Sequence, residues 1–168
     1  MKFLLRQAGR AETPLIRAMA KHIWHEHYVP IIGLDQVEYM LGKFYTDANL
    51  HKQMAEGQVF WFFEMDGQVL GYLSMSPKGP GQYFMHKFYM ENGKRGQGLG
   101  QRIFEQLLSL YPDLRELRLT VNRQNYKSIN FYFKVGFKIE FCLDIPIGDG
   151  YEMNDFQMLL ILDCDSCD

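Results

Sequence analysis

Between a strand-like run, Tyr83 to Met90, and a helix-like run reaching Leu108 lies the segment Lys94-Arg95-Gly96-Gln97-Gly98-Leu99-Gly100. Three glycines within five residues constrain the chain here more than any other feature. Glycine reaches positive φ without steric cost and lets backbone approach a ligand closely. At the start of a helix, such a segment presents unpaired N–H groups and the positive end of the helix dipole. Both suit an anion such as a pyrophosphate. Lys94 and Arg95 add positive charge beside them. The spacing is not G-x-G-x-x-G and no GK[ST] follows, so neither the dinucleotide fingerprint nor the P-loop applies. A plain strand-to-helix connection would use the same residues, and the loop by itself leaves both readings open.

The pattern around it predicts a mixed α/β sheet in one domain. Lys2 to Gln7 reads as a first strand. Thr13-Pro14 is a helix start, a hydroxyl cap followed by proline, and that helix runs toward Tyr28, where Pro30 and Gly33 end it. Asp35 to Tyr45 repeats apolar residues at helical spacing, and a shorter helix spans Leu50 to Ala55. Val59 to Met65 and Val69 to Ser76 are strands joined by Asp66-Gly67, a hairpin signal, with Pro77 to Gly81 read as a loop. After the glycine segment and its helix come a strand, Glu116 to Val121, and a helix, Asn125 to Lys134, which Gly136 caps. Two more strands follow, Phe137 to Ile145 and Phe156 to Leu162, separated by Gly148-Asp149-Gly150. The domain covers 1–163, leaving 164–168 as a short acidic tail.

Composition excludes several classes. At 168 residues the chain fits one domain. Its net charge of −2 argues against a general nucleic-acid binder. Three cysteines make no disulfide framework, and Cys164-x-x-Cys167 has no second pair to complete a zinc site. Charge interrupts the first residues before a signal-peptide core forms, and the apolar runs are strand-sized. A soluble cytoplasmic protein with no membrane partner is expected. Aromatic residues reach 15%, more than a core of this size requires, and aromatics also line small-molecule clefts.

Arg95-x-x-Gly98-x-Gly100 resembles the [QR]-x-x-G-x-[GA] loop of the Gcn5-related N-acetyltransferase superfamily. Downstream, Asn125, Ser128, Ile129, Tyr132, Gly136 and Phe137 look like that family's N-x-x-[AS]-I-x-x-Y-x-x-x-G-F. Segments such as Trp24-x-x-x-Tyr28 and His86-Lys87-Phe88-Tyr89-Met90 extend the likeness toward PaiA-like acetyltransferases, some linked to spermidine. The resemblance implies an acyl-CoA N-acyltransferase fold, a central, mostly antiparallel sheet with splayed strands between helices. It implies acetyl-CoA as co-substrate, with no metal, and a small-molecule amine, polyamines included, or a peptide amine as acceptor. Attack by the amine is expected to be direct, without a covalent acyl-enzyme.

The same resemblance assigns roles. Residues 95–100, with Lys94, would hold the pyrophosphate: Arg95, Gly96, Gln97, Gly98, Leu99 and Gly100. Phe88, Tyr89 and Met90 would offer backbone to the pantetheine arm, the Phe88 N–H acting as an oxyanion donor. Tyr132 would protonate the departing thiolate; a core aromatic is the other reading of that position. Asn125 would bond the pantetheine arm or cap its helix, and Ser128 holds a small-residue position. For a general base the strand offers His86, which alternation puts on the same face as Phe88 and Met90. Trp24 and Tyr28 are candidates for the acceptor wall, and Glu26, Glu38, Asp149, Glu152 and Asp155 for the acceptor's charge. His22, His25 and His27 share a helix but lack the H-E-x-x-H pattern, so no metal is expected. Strand edges left open at the C-terminus suit a monomer or a homodimer. The alternative function is a catalytically silent acyl-CoA-binding sensor or regulatory module.

Overall fold

A computed structural model describes residues 3–94 and 98–163; Arg95, Gly96, Gln97, the Lys94 side chain and the tail lie outside the described residues. The strands are β1 (Phe3–Gln7), β2 (Val59–Met65), β3 (Gln68–Gly79), β4 (Gln82–Met90), β5 (Glu116–Asn122), β6 (Lys138–Gly148) and β7 (Tyr151–Ile161). The helices are α1 (Thr13–His27), α2 (Val29–Ile32), α3 (Leu34–Phe44), α4 (Asp47–Ala55), α5 (Leu99–Leu110) and α6 (Tyr126–Lys134). The seven strands form one sheet in the order β1-β2-β3-β4-β5-β7-β6. Only β4 and β5 run parallel; every other pairing is antiparallel. No helix among the described residues is long and apolar enough to cross a membrane.

Local chemistry explains most boundaries and corrects a few expectations. Asp66 and Gly67 both take positive φ, 50° and 84°, the geometry that matches the twist of a two-residue hairpin. Thr13 is the first residue of α1 rather than its cap, and its hydroxyl donates to Asp47 Oδ1 at 3.0 Å, tying α1 to α4. Strand β3 continues through Pro77 to Gly79 instead of ending at Ser76. The β2 ladder stops at Val59↔Met75, so Pro77 lies where β3 has no second neighbour and its missing N–H costs nothing. Strand β7 starts at Tyr151, five residues before the predicted Phe156, because Gly148 to Gly150 is a tight hairpin turn and β6 and β7 pair from Gly148↔Tyr151 onward. Polar residues on the exposed side of that hairpin hid the strand pattern.

The sheet carries two cores, one on each face. On one face, Leu73, Met75, Met85, Met90, Leu117, Leu119 and Met158 pack against Ile103, Phe104 and Leu107 of α5 and Ile129 and Tyr132 of α6. On the other, Phe60, Phe62 and Tyr72 pack against Ile16, Ile23 and Trp24 of α1, Val37 and Met40 of α3, and Leu50 of α4. The β6–β7 turn is pinned to the second layer: Tyr39 of α3 donates its hydroxyl to the Ile147 carbonyl at 2.7 Å.

Strand β3 meets the end of β4 at Gly71, which pairs with Met90. A Cβ there would sit 2.3 Å from the Tyr89 carbonyl oxygen and 2.7 Å from the Phe63 ring. Backbone cannot yield as a flexible side chain does, so Gly71→Ala forces β3 away from the Tyr89–Met90 end of β4. The expected loss is about 2 kcal/mol, typical of overpacking, measured as a lower denaturation midpoint at unchanged slope.

Candidate active site

The β4–β5 ladder runs only from Gln82↔Glu116 to Phe84↔Arg118. Beyond it the two strands form no further ladder pair. Three cavities that share lining residues lie along the gap. The first, about 300 Å³, lies on the α5–α6 side and is lined by Phe88, Met90, Gly98, Gly100, Ser128 and Tyr132, with Lys127 and Lys134 among its other residues. The second, about 30 Å³, sits in the gap and shares Phe88, Ser128 and Tyr132 with the first. The third, about 80 Å³, opens on the α1–α3 side and shares Tyr28, His86, Tyr89, Thr120 and Val121 with the second. A run of cavities with shared walls therefore follows the gap from one helical layer to the other.

The loop and α6 shape its first mouth. Gly98 stands before α5 with φ of 72°, a conformation that favours glycine, and its carbonyl accepts the Arg102 N–H at 3.1 Å. Gly100 lets the helices close up, since a Cβ there would meet the Phe131 ring at 3.2 Å. Leu99 turns inward to the core instead of lining the cavity. Asn125 precedes α6 and is buried; its Oδ1 accepts the Ser128 N–H at 3.4 Å and faces His27 Nε2 at 3.0 Å, while its Nδ2 donates to the Tyr28 hydroxyl at 3.3 Å. It therefore joins α6 to the end of α1. Tyr132 is buried, with its ring 5.5 Å from that of Phe137, and it borders both the first and second cavities.

A bulge sets the polarity of the middle. Ser74 pairs with Lys87 and Met75 with Met85, so His86 is an extra residue in β4. Alternation breaks there. Met85 faces the α5–α6 core, but His86 turns to the opposite face, where Ser76 Oγ lies 2.7 Å from its Nε2. The expectation that His86 shares a face with Phe88 and Met90 is thus corrected. Burial, with help from the charges of Lys87 and Lys78, lowers the His86 pKa to about 4. The ring is neutral at pH 7 and only a weak base.

Aromatic rings wall the third cavity. Trp24 and Tyr28 lie 4.9 Å apart, and Tyr89 lies 5.7 Å from Trp24 and 6.1 Å from Tyr28. Tyr89 thus turns its side chain away from the first cavity, whereas Phe88 and Met90 face it. Gln36, Met40, Asn122, Met153 and Asp155 complete the wall. Of the five acidic candidates only Asp155 lines any of these cavities. Burial raises its carboxyl to about 6, against the opposing effects of the Thr120 side chain and the Arg123 charge. Thr120 carried no recognisable motif, whereas Gln36 lies in a segment of the family likeness, Gln36 to Leu41, and Met153 and Asp155 lie in another, Asp144 to Met158.

The histidines of α1 do not converge. His22 faces Glu26, His25 pairs with Glu38 and the Lys21 carbonyl, and His27 meets Asn125. Among the described residues no group of three His, Cys, Asp or Glu side chains is placed to hold a metal ion.

The profile of the acetyltransferase (GNAT) family matches residues 17–137. The chain belongs to the GNAT acetyltransferase family. It is 30% identical over 96 residues to an uncharacterized N-acetyltransferase of Mycobacterium bovis, covering 56% of this chain and 61% of that protein. It is 38% identical over 72 residues to the peptidyl-lysine N-acetyltransferase YjaB of Escherichia coli, covering 43% of this chain and 44% of that one. The matches thus span less than two thirds of these curated relatives. Among solved structures, the PaiA N-acetyltransferase of Thermoplasma acidophilum in complex with coenzyme A superposes with a TM-score of 0.79 at 20% identity, over 96% of this chain and all (100%) of that one. YncA of Salmonella typhimurium with acetyl-CoA gives 0.63 at 19% identity, over 99% and 100%. At such identities the likeness is one of fold.

One buried cation borders the middle cavity. Lys87 Nζ donates to Gln53 Oε1 at 2.7 Å and Gln58 Oε1 at 3.2 Å, and lies 5.2 Å above the Phe60 ring. No carboxylate among the described residues pairs with it, and burial lowers its pKa from 10.5 to about 7. A depressed cation pKa means that the unfolded chain binds more protons between those values, so stability rises with pH across that window. Burial also raises the pKa of Tyr45, Tyr72 and Tyr89, which turns the trend downward once unfolded tyrosines ionise near ~10. From pH 7.5 to 9.5 the Lys87 contribution is about 2 kcal/mol. Lys87→Met removes that rise, as read from denaturation midpoints across the range.

Proposed function

We propose that this chain is an acetyl-CoA-dependent N-acetyltransferase in which a primary amine of a small molecule or a peptide attacks the thioester directly. The observation that carries this reading is the run of cavities along the β4–β5 gap, with Tyr132 bordering the first two. Its two mouths differ as the two substrates differ: glycines and lysines on one side, aromatic rings and a carboxylate on the other. The relative YjaB is described as acting on peptidyl-lysine, itself a primary amine.

Acetyl-CoA, when bound, supplies an activated acetyl carbonyl. The residues of the first cavity fit its narrow arm, because Phe88 lies beyond the end of the β4–β5 ladder and borders the cavity. Gly98 and Gly100, with Arg95, Gly96 and Gln97, would hold the pyrophosphate at the start of α5. Lys127 and Lys134 supply positive charge nearby, and Lys94 would add its own. The Phe88 N–H would donate to the carbonyl oxygen as it gains charge, a role worth roughly 3 kcal/mol. Tyr132, which borders both the first and the second cavity, would give its proton to the sulfur. Ser128 leaves room between α6 and the arm, and Asn125 holds the start of α6 against Tyr28. His86, neutral and bonded to Ser76, lines the amine's route rather than serving as a strong base.

Tyr132→Phe tests the central role. Turnover with a competent amine is expected to fall about 100-fold or more, while coenzyme A affinity measured by calorimetry stays within about threefold. Unchanged turnover would remove Tyr132 from the mechanism. Tight coenzyme A binding with no acetylation across a broad amine panel would instead mark a silent acyl-CoA-binding module.

A further inference from the structure

We infer that Asp155 is the acceptor-recognition residue of this site: its carboxylate pairs with the ammonium of an alkyl amine entering between Trp24, Tyr28 and Tyr89, and takes that ammonium's proton. The inference deepens the transferase reading and rests on it for the proton-transfer step.

Asp155 is 4% exposed, yet no salt bridge among the described residues includes it. The nearest cationic influence, Arg123, has its guanidinium committed to Asp144 Oδ1 at 2.8 Å and the Leu143 carbonyl at 3.2 Å. Burying a carboxylate without a cation is costly, and an entering ammonium offsets that cost. The walls around it select the same group. Three aromatic rings attract a cation through their faces. Ile32, Met40 and Met153 offer apolar contact for methylene groups. The cavity's volume of about 80 Å³ suits an amine head and a short stem rather than a whole bulky substrate.

Other acidic residues near the cleft are engaged elsewhere. Glu26 accepts from Asn92 Nδ2 at 2.7 Å, Glu38 pairs with His25, and Glu152 reaches Asn154 Nδ2 at 3.4 Å on the exposed hairpin. His86 also faces the cavity but is neutral, so it neither repels the cation nor competes for the proton. The raised carboxyl pKa of about 6 keeps Asp155 ionised at pH 7 and above while making it a better proton acceptor than an exposed aspartate.

The step balances without another reagent. One ammonium proton passes to Asp155 and on to solvent. The neutral nitrogen then bonds to the acetyl carbon while the carbon–sulfur bond breaks and its electron pair leaves on sulfur. Tyr132 protonates the sulfur and is restored by the second nitrogen proton. The net result is an amide, a free thiol and one released proton.

The test has a readout independent of turnover. The chain has two tryptophans, and Trp61 lies apart from the cavity, donating to the Tyr111 hydroxyl at 3.0 Å. In a Trp61→Phe background, fluorescence therefore reports Trp24. With coenzyme A present, n-pentylammonium is expected to quench it with an affinity at least tenfold above that of 1-pentanol. Asp155→Asn should bring that ratio near one, and Asp155→Ser should do the same should the amide crowd the cavity. Both should lower kcat/KM for pentylamine at least 100-fold with the KM for acetyl-CoA unchanged. A tenfold preference surviving in both variants would overturn the assignment of Asp155 alone. Loss of the ratio in a parent that acetylates no amine would overturn the transferase reading and the proton transfer with it.

Discussion

Strands β4 and β5 share a ladder of three residue pairs and then separate, and most of what this chain can do depends on that separation. A sheet normally satisfies its backbone by pairing each strand on both sides, so an unpaired stretch in the middle of seven strands needs another arrangement. Two features keep the gap open. On its other side β4 is held closely by β3 at Gly71, where only hydrogen fits against the Tyr89 carbonyl. Beyond the gap, β5 is held along its whole length by β7, from Glu116↔Ile161 to Asn122↔Asp155. Each strand is thus anchored away from the gap. The helical layers do not close it either, since α5 and α6 pack on one face of the sheet and α1 and α3 on the other.

The bulge in β4 complements the gap. An inserted residue reverses side-chain alternation, so Met85 on one side of it and Phe88 on the other both reach the α5–α6 face. His86 and Lys87 both turn to the opposite face, toward Ser76 and toward Gln53 and Gln58. The chain accepts a lysine beside two amide oxygens and aromatic rings, and its burial lowers its proton affinity. That lysine also helps keep His86 neutral beside the third cavity. Backbone geometry and electrostatics are therefore coupled through a single inserted residue.

Local signals made the elements legible. Asp66-Gly67, the helical spacing from Val37 to Phe44 and the glycines before α5 each act through backbone preferences that neighbouring residues determine. The two motifs carrying the family resemblance are also local, one around the start of α5 and one along α6. What escaped depends on contacts between distant segments. The length of β7 is set by pairing across the hairpin with β6, where the short alternation of Tyr151 and Met153 runs into a buried acid, Asp155. The bulge at His86 is a matter of register between β3 and β4, so strict alternation gave that side chain the wrong face. Asp155 looked like four other acids because burial is not a property of a residue type. It is set by which strand lies beside which, and here by β7 crossing between β5 and β6.

The same distinction bears on the nearly neutral charge of the chain. A net charge of −2 describes an average, and the run of cavities along the gap separates its parts. Lys127 and Lys134 border one mouth and Asp155 the other, with buried Tyr132 between them. Over such a short path, in surroundings that screen charge poorly, a positive end and a negative end orient whatever enters. An anionic ligand and a cationic one would each meet the favourable mouth from opposite faces of the sheet and come together only at the gap. A sheet paired across β4 and β5 would have the same composition and the same net charge, but no place for the two to meet.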